Sequence, residues 1–112
     1  MKILSSHDEI LLLAILKLGD NAYGLPIYQH ILKLTGKKFA IGGIYYPLER
    51  LVKRRYLDAF KGEPSSVRGG QSKRYYRLTQ HGHDVLVNSR KTQDSFWQGL
   101  PDLSFSTRKS NE

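Results

Sequence analysis

The residues of this chain best suited to chemistry are eleven bases gathered in one segment, Lys37 to Arg77: Lys37, Lys38, Arg50, Lys53, Arg54, Arg55, Lys61, Arg68, Lys73, Arg74 and Arg77. Only three acids, Glu49, Asp58 and Glu63, stand among them, so this segment alone carries the +8 net charge of the 112-residue chain. Elsewhere the bases and acids cancel. Phe39, Tyr45, Tyr46, Tyr56, Phe60, Tyr75 and Tyr76 are threaded through the same stretch. Lys and Arg neutralise phosphates and aromatic rings pack on sugars or bases, so the composition suits recognition of a polyanion. By charge alone a solvated basic face would look the same.

Other chemistry finds little support. The chain has no cysteine, which excludes disulfides, thiolate zinc sites, iron–sulfur clusters and a cysteine nucleophile. His81 and His83 are alternate residues at a helix start and share no face, while His7 and His30 are isolated in sequence, so no metal site is expected. No Ser–His–Asp grouping, phosphate-cradling loop or paired carboxylates can be picked out, so neither catalysis nor a cofactor is expected. The longest apolar run, Ile10 to Leu16, is far too short for a bilayer span. Acidic residues directly precede that run, unlike a secretory signal, and the expected location is cytoplasmic.

The elements that must position the basic segment follow from periodicity. Ser6-His7-Asp8-Glu9 has the pattern of a capping box, Ser6 accepting from the Glu9 amide and the Glu9 carboxylate reaching back. Ile10, Leu13, Ala14 and Leu18 continue a helix that Gly19-Asp20-Asn21 stops. Leu11 and Leu12 make it apolar on more than one face, as befits a helix central in the core or shared with a second subunit. A second helix opens near Gly24-Leu25-Pro26, with Ile27, Ile31 and Leu34 as its core stripe and Gly36 as its end. The third begins around Gly42-Gly43 with Ile44, Leu48, Leu51 and Val52 facing inward. Pro47 either fixes its start near Tyr46 or removes one hydrogen bond.

After Arg55 the period changes to that of strands. Leu57, Ala59 and Lys61 alternate, Gly62 to Gly70 is a turn, and Lys73 to Leu78 returns with Tyr76 and Leu78 inward. Thr79 caps a fourth helix, anchored by Val85-Leu86-Val87 and polar from Asn88 to Ser95 before Phe96-Trp97. A loose tail follows, apart from Leu100, Leu103 and Phe105. Helix, helix, helix, hairpin, helix is the order of a winged helix-turn-helix, a mainly helical α+β fold whose third helix enters the DNA major groove. Residues 1–79 form that unit, 80–98 a C-terminal helix, and 99–112 the tail.

On this frame Lys53, Arg54, Lys73 and Arg74 are candidates for phosphate contacts. Gly43, Tyr46, Glu49 and Arg50 at the exposed start of the third helix would read bases. Arg50 could instead pair with Glu49 or Asp58, or cover core surface with its stem. Tyr45 and Tyr46 point about 100° apart, so one packs while the other meets DNA; Tyr46 is favoured as the free one. Arg68 and Gln71 lie in the wing and would touch the backbone or minor groove. Phe96 and Trp97 suit core or dimer packing.

Three stretches carry a resemblance. Gly42-Gly43-Ile44-Tyr45-Tyr46-Pro47-Leu48-Glu49-Arg50-Leu51 resembles the Gly-x-Ile-Tyr-x-x-Leu-x-Arg-Leu signature of the PadR family of transcriptional regulators. Tyr23-Gly24-Leu25-Pro26-Ile27 is similar to its Tyr-Gly-x-x-Ile, and Tyr75-Tyr76-Arg77-Leu78-Thr79-Gln80-His81-Gly82 to its Tyr-Tyr-x-Leu-Thr-x-x-Gly. Together they cover roughly residues 6 to 87, in the family's order. The resemblance implies a homodimeric, ligand-responsive transcription factor, usually a repressor, that dimerises through helices after the wing, here residues 80–98, with Phe96 and Trp97 as an aromatic platform for a small, flat aromatic effector. The third-helix proline stands one place later than in many members. Gln71-Ser72 replaces their Arg-Pro, which removes a charge and a stiffener from the wing, and the C-terminal region is short. Two rival readings share the fold: a module binding an acidic protein partner, and a plasmid or phage DNA-binding accessory factor. RNA binding is not favoured, because the aromatics do not read as a sheet-surface stacking platform.

Overall fold

The first helix, α1 (Ser6–Leu18), starts where the Ser5 hydroxyl accepts from the Asp8 amide at 3.1 Å. The structure, a computed structural model, describes residues 4–38, 40, 42–62 and 73–101. The cap is Ser5 and not the expected Ser6, and Glu9 does not reach back. Its carboxylate is drawn across the fold instead, accepting from the Ser89 hydroxyl at 2.9 Å and the Gln93 amide at 3.1 Å. Leu11, Leu12, Ala14 and Ile15 are buried, and α1 touches every other helix, so it is the central helix. Of its other apolar residues, Ile10, Leu13 and Leu16 stay exposed, while Leu18 packs partly buried against the core.

Helix α2 (Gly24–Thr35) buries Ile27 and Ile31. Leu34 was expected in the same stripe but is 70 % exposed. It lies in the last turn and lines an outward-facing groove between α1 and α2 with Leu13 and Leu16. Gly36 ends the helix with a left-handed φ of 70° and donates its amide to Leu32 O at 2.8 Å.

Helix α3 (Gly42–Lys53) buries Ile44, Leu48 and Leu51 completely, with Val52 packed at the margin. Pro47 lies inside it, so of the two expectations the lost hydrogen bond is the one realised: the Gly43 carbonyl receives no amide from that position. The helix closes with paired bonds, Tyr56 N–H to Leu51 O at 3.0 Å and Arg55 N–H to Val52 O at 2.9 Å. Arg55 sits between them at φ 65°, a place that glycine usually fills. The Thr79 hydroxyl donates to the Arg55 carbonyl at 2.6 Å and ties down that turn.

Strands β1 (Leu57–Lys61) and β2 (Arg74–Leu78) pair antiparallel in the register Leu57–Leu78, Ala59–Tyr76, Lys61–Arg74. That register puts Leu57 and Tyr76 against the core. On the other edge of β2 the Tyr76 amide bonds Ala22 O at 2.9 Å, beside a bridge between Tyr23 and Tyr75. The hairpin tip, with Arg68 and Gln71, lies outside the described residues.

Helix α4 (Gln80–Trp97) opens as expected on Thr79, whose hydroxyl accepts from the Gly82 amide at 2.9 Å. Val85, Leu86 and Ser89 face inward. Val87, expected to anchor the helix, is 42 % exposed, because the residue after two inward-facing neighbours turns away from them. Beyond Ser89 the helix runs on with Phe96 and Trp97 in solvent, while Leu103 and Phe105 lie outside the described residues. Three helices, a two-stranded hairpin and a fourth helix make a mainly helical winged-helix fold, as the element order implies.

Candidate nucleic-acid interface

Because Ile44, Leu48 and Leu51 fix one face of α3 in the core, helical geometry turns Tyr45, Tyr46, Glu49, Arg50 and Lys53 outward, where they line a groove. Tyr46 is 81 % exposed. Tyr45 is half-exposed, and its hydroxyl end rests on Gly24, where any Cβ would collide with it. The pair divides as the sequence suggests: Tyr45 packs against the start of α2 and Tyr46 is free. Gly43 is exposed in the first turn, its amide bonded to Ala40 O at 2.8 Å.

Two carboxylates organise the arginines of this surface. Asp8, from α1 and only 4 % exposed, accepts from the Arg50 guanidinium at 2.7 Å and lies 3.9 Å from that of Arg54. Neither Glu49 nor Asp58, the partners considered for Arg50, takes it. Asp8 therefore fastens the recognition-helix candidate to the central helix. Removing its carboxylate by Asp8→Ala leaves Arg50 unmatched, and the half-exposed guanidinium can rehydrate, so the expected loss is about 1–3 kcal/mol rather than that of a fully buried pair. Urea unfolding at neutral pH measures it; a variant as stable as the parent would mean that the contact contributes nothing to holding α3.

The second carboxylate is Glu49. Arg74 of β2 donates to it through two nitrogens, Nε to Oε2 at 2.9 Å and Nη2 to Oε1 at 2.8 Å, and the Tyr76 hydroxyl donates to Oε2 at 2.8 Å. The hydrogen bonds from Arg74 hold the Glu49 carboxyl below its ordinary range, and the same contact raises Arg74. Burial, helped by the neighbouring Glu49 carboxylate, pushes the Tyr76 hydroxyl up to about 12, so it remains a neutral donor.

Lys53 and Arg54 are exposed at the end of α3. Lys73 lies 3.4 Å from the Tyr23 hydroxyl and 4.4 Å from that ring's centre, and Arg77 lies 4.9 Å from the ring of Phe60. Tyr23, Tyr75 and Phe60 form a row toward the loop end of the two strands, with ring centres 5.2 and 5.9 Å apart. Sequence reading missed Asp8, Tyr23 and the bonding role of the Tyr76 hydroxyl. Asp8 sits 42 positions from Arg50 and was absorbed into a capping pattern, and Tyr23 is outside any strand-like alternation. Tyr76 does alternate inward, but alternation says nothing about where its hydroxyl ends. Phe96 and Trp97 are 74 % and 59 % exposed and so take no part in the core of one chain. Among the described residues no three His, Asp or Glu side chains come together as a metal site, and no helix is long and apolar enough to cross a membrane.

The model of the transcriptional regulator PadR-like family matches residues 12–88. The fold is similar to a PadR family transcription regulator from Clostridium difficile (24 % identity, 83 % of this chain and 93 % of that one, TM-score 0.65). It is also similar to a PadR-like transcription factor from Bacteroides fragilis (25 %, 80 % and 82 %, 0.65) and a PadR-like transcriptional regulator from Bacillus cereus (22 %, 84 % and 93 %, 0.62). Comparison with curated protein sequences gives no match.

Proposed function

The chain belongs to the PadR-like family of transcriptional regulators, a family of regulators and not of enzymes, and on that premise we propose that it is a cytoplasmic repressor binding duplex DNA sequence-specifically. Helix α3 enters the major groove and the hairpin reaches the flanking backbone or minor groove. The observation that carries this reading is the outward face of α3, where Tyr46, Glu49, Arg50 and Lys53 line one groove beside the cations of β2. Tyr46, Glu49 and Arg50 meet base edges, while Lys53 and Arg54 meet phosphates.

The working unit is a homodimer. What supports a second copy is the set of large apolar residues left in water, Ile10, Leu13, Leu16 and Leu34 around α1 and α2, and Val87, Phe96, Trp97 and Leu100 along and after α4. A second copy covering these faces would present two α3 helices to a two-fold symmetric operator. Phe96 and Trp97 would then border a site for a flat aromatic effector.

Fluorescence anisotropy on the gene's own upstream duplex and a scrambled control, across a salt series, tests the reading. Tighter binding to the upstream duplex with a steep salt slope supports it. Lys53→Ala is expected to weaken both duplexes alike and to lower the salt slope by about one for each protomer bound. An unchanged slope would remove Lys53 from the phosphate contacts. Binding to neither duplex at low salt, with stable capture of an acidic protein, would favour the interaction-module reading.

A further inference from the structure

The two carboxylates of the basic face differ in one decisive respect. Asp8 is buried, so no nucleic acid can reach it, and its pairing with Arg50 is an internal fastening. Glu49 and Arg74 are both close to half-exposed, at 46 % and 47 % of their side chains, and Glu49 lines the α3 groove. This pair can therefore exchange partners with a ligand. A phosphate offers the Arg74 guanidinium the same two-pronged geometry that the carboxylate now supplies. Arg74 cannot take that phosphate without leaving the Glu49 charge without its cation and facing a polyanion. Exocyclic amines in the major groove can relieve this. Adenine presents its amine beside the N7 acceptor, whereas cytosine presents only its amine there, so a lone carboxylate is the matching acceptor for cytosine.

Resting on the DNA-binding reading, we propose that Glu49 is the specificity-determining residue of this surface and acts through Arg74. Its carboxylate withholds that cation from phosphates wherever no cytosine amine lies opposite it, and releases it where a cytosine amine takes the cation's place. Tyr76 makes the exchange possible. Its hydroxyl, on a side chain 1 % exposed, holds Oε2 at 2.8 Å from inside the core, so the carboxylate stays in position when Arg74 departs. On arbitrary sequence the wing thus contributes one cation fewer than its composition suggests, and on cognate sequence it contributes them all.

The test uses the full chain, wild type, Glu49→Gln, Arg74→Ala and the double variant, on a random-sequence duplex over a salt series. Glu49→Gln is expected to tighten binding to this duplex about tenfold and to steepen the slope by about one phosphate per protomer. Arg74→Ala and the double variant should keep the wild-type slope, because in both the withheld cation is missing. On a duplex selected by the wild-type protein from a random pool, Glu49→Gln should lose about tenfold discrimination at one C·G pair. Glu49→Ala, which has no amide to donate, must reproduce the steeper slope. A slope indifferent to Glu49→Gln overturns the proposal. So does a slope that steepens equally without Arg74, since that is bulk charge and not release. A wild-type protein that binds no duplex overturns the DNA reading and this one with it; normal wild-type binding with an indifferent Glu49→Gln overturns this one alone.

Discussion

Gly82→Ala is expected to destabilise the protein by about 2–4 kcal/mol, although helix propensity alone favours alanine over glycine by about 1 kcal/mol. Gly82 is buried in the first turn of α4, and a Cβ there would overlap the carbonyl oxygen of Tyr56 and crowd a Leu78 methyl. That oxygen belongs to backbone with little freedom to retreat. It accepts from the Thr79 amide at 3.1 Å, the Tyr56 amide is bound to Leu51 O, and the Arg55 carbonyl is held by the Thr79 hydroxyl. Room for a methyl can come only from lifting α4 off the turn between α3 and β1, at the loss of several of these bonds. A thermal scan is the simplest measurement, with a fall in Tm of more than about 10 °C expected for a domain of this size. A rise in Tm would mean that local propensity decides and that α4 starts clear of the Tyr56 turn.

Leu48→Ala carries the other large expected effect, about 2–5 kcal/mol. Leu48 is unexposed between Ile44 and Leu51, and α3 packs there against both α1 and β1. Truncation opens a cavity that these elements cannot close without moving the helix. Its natural control lies two positions away. Tyr46 is 81 % exposed, so Tyr46→Ala should change stability by no more than about 0.5 kcal/mol while weakening duplex binding under the proposed function. Urea unfolding of both variants separates the buried from the exposed face of α3. Equal losses would mean that the helix is rotated from the orientation described.

What the sequence by itself determined is what depends on local rules and charge counting. Apolar residues three and four apart placed Ile44, Leu48 and Leu51 on one face of α3, and a hydroxyl residue before a helical pattern marked Thr79 as a cap. Alternation put Tyr76 inward, and the order of elements implied a winged helix. Periodicity is silent on how far a face is covered, which is why Leu34 and Val87 were expected inside and lie exposed: their helices run past, or turn away from, the elements that would bury them. Nor does it foresee where a charged side chain finds its partner. The Asp8–Arg50 and Glu49–Arg74 pairs join residues 42 and 25 positions apart. Glu49 and Asp58 stood nearer to Arg50 in sequence, yet the fold gives it to Asp8. Ion pairing depends on distance through space and on exclusion of water. The excess of cations was therefore legible in the chain, whereas which of them remain available to a phosphate was decided only by the packing of α1 and β2 against α3.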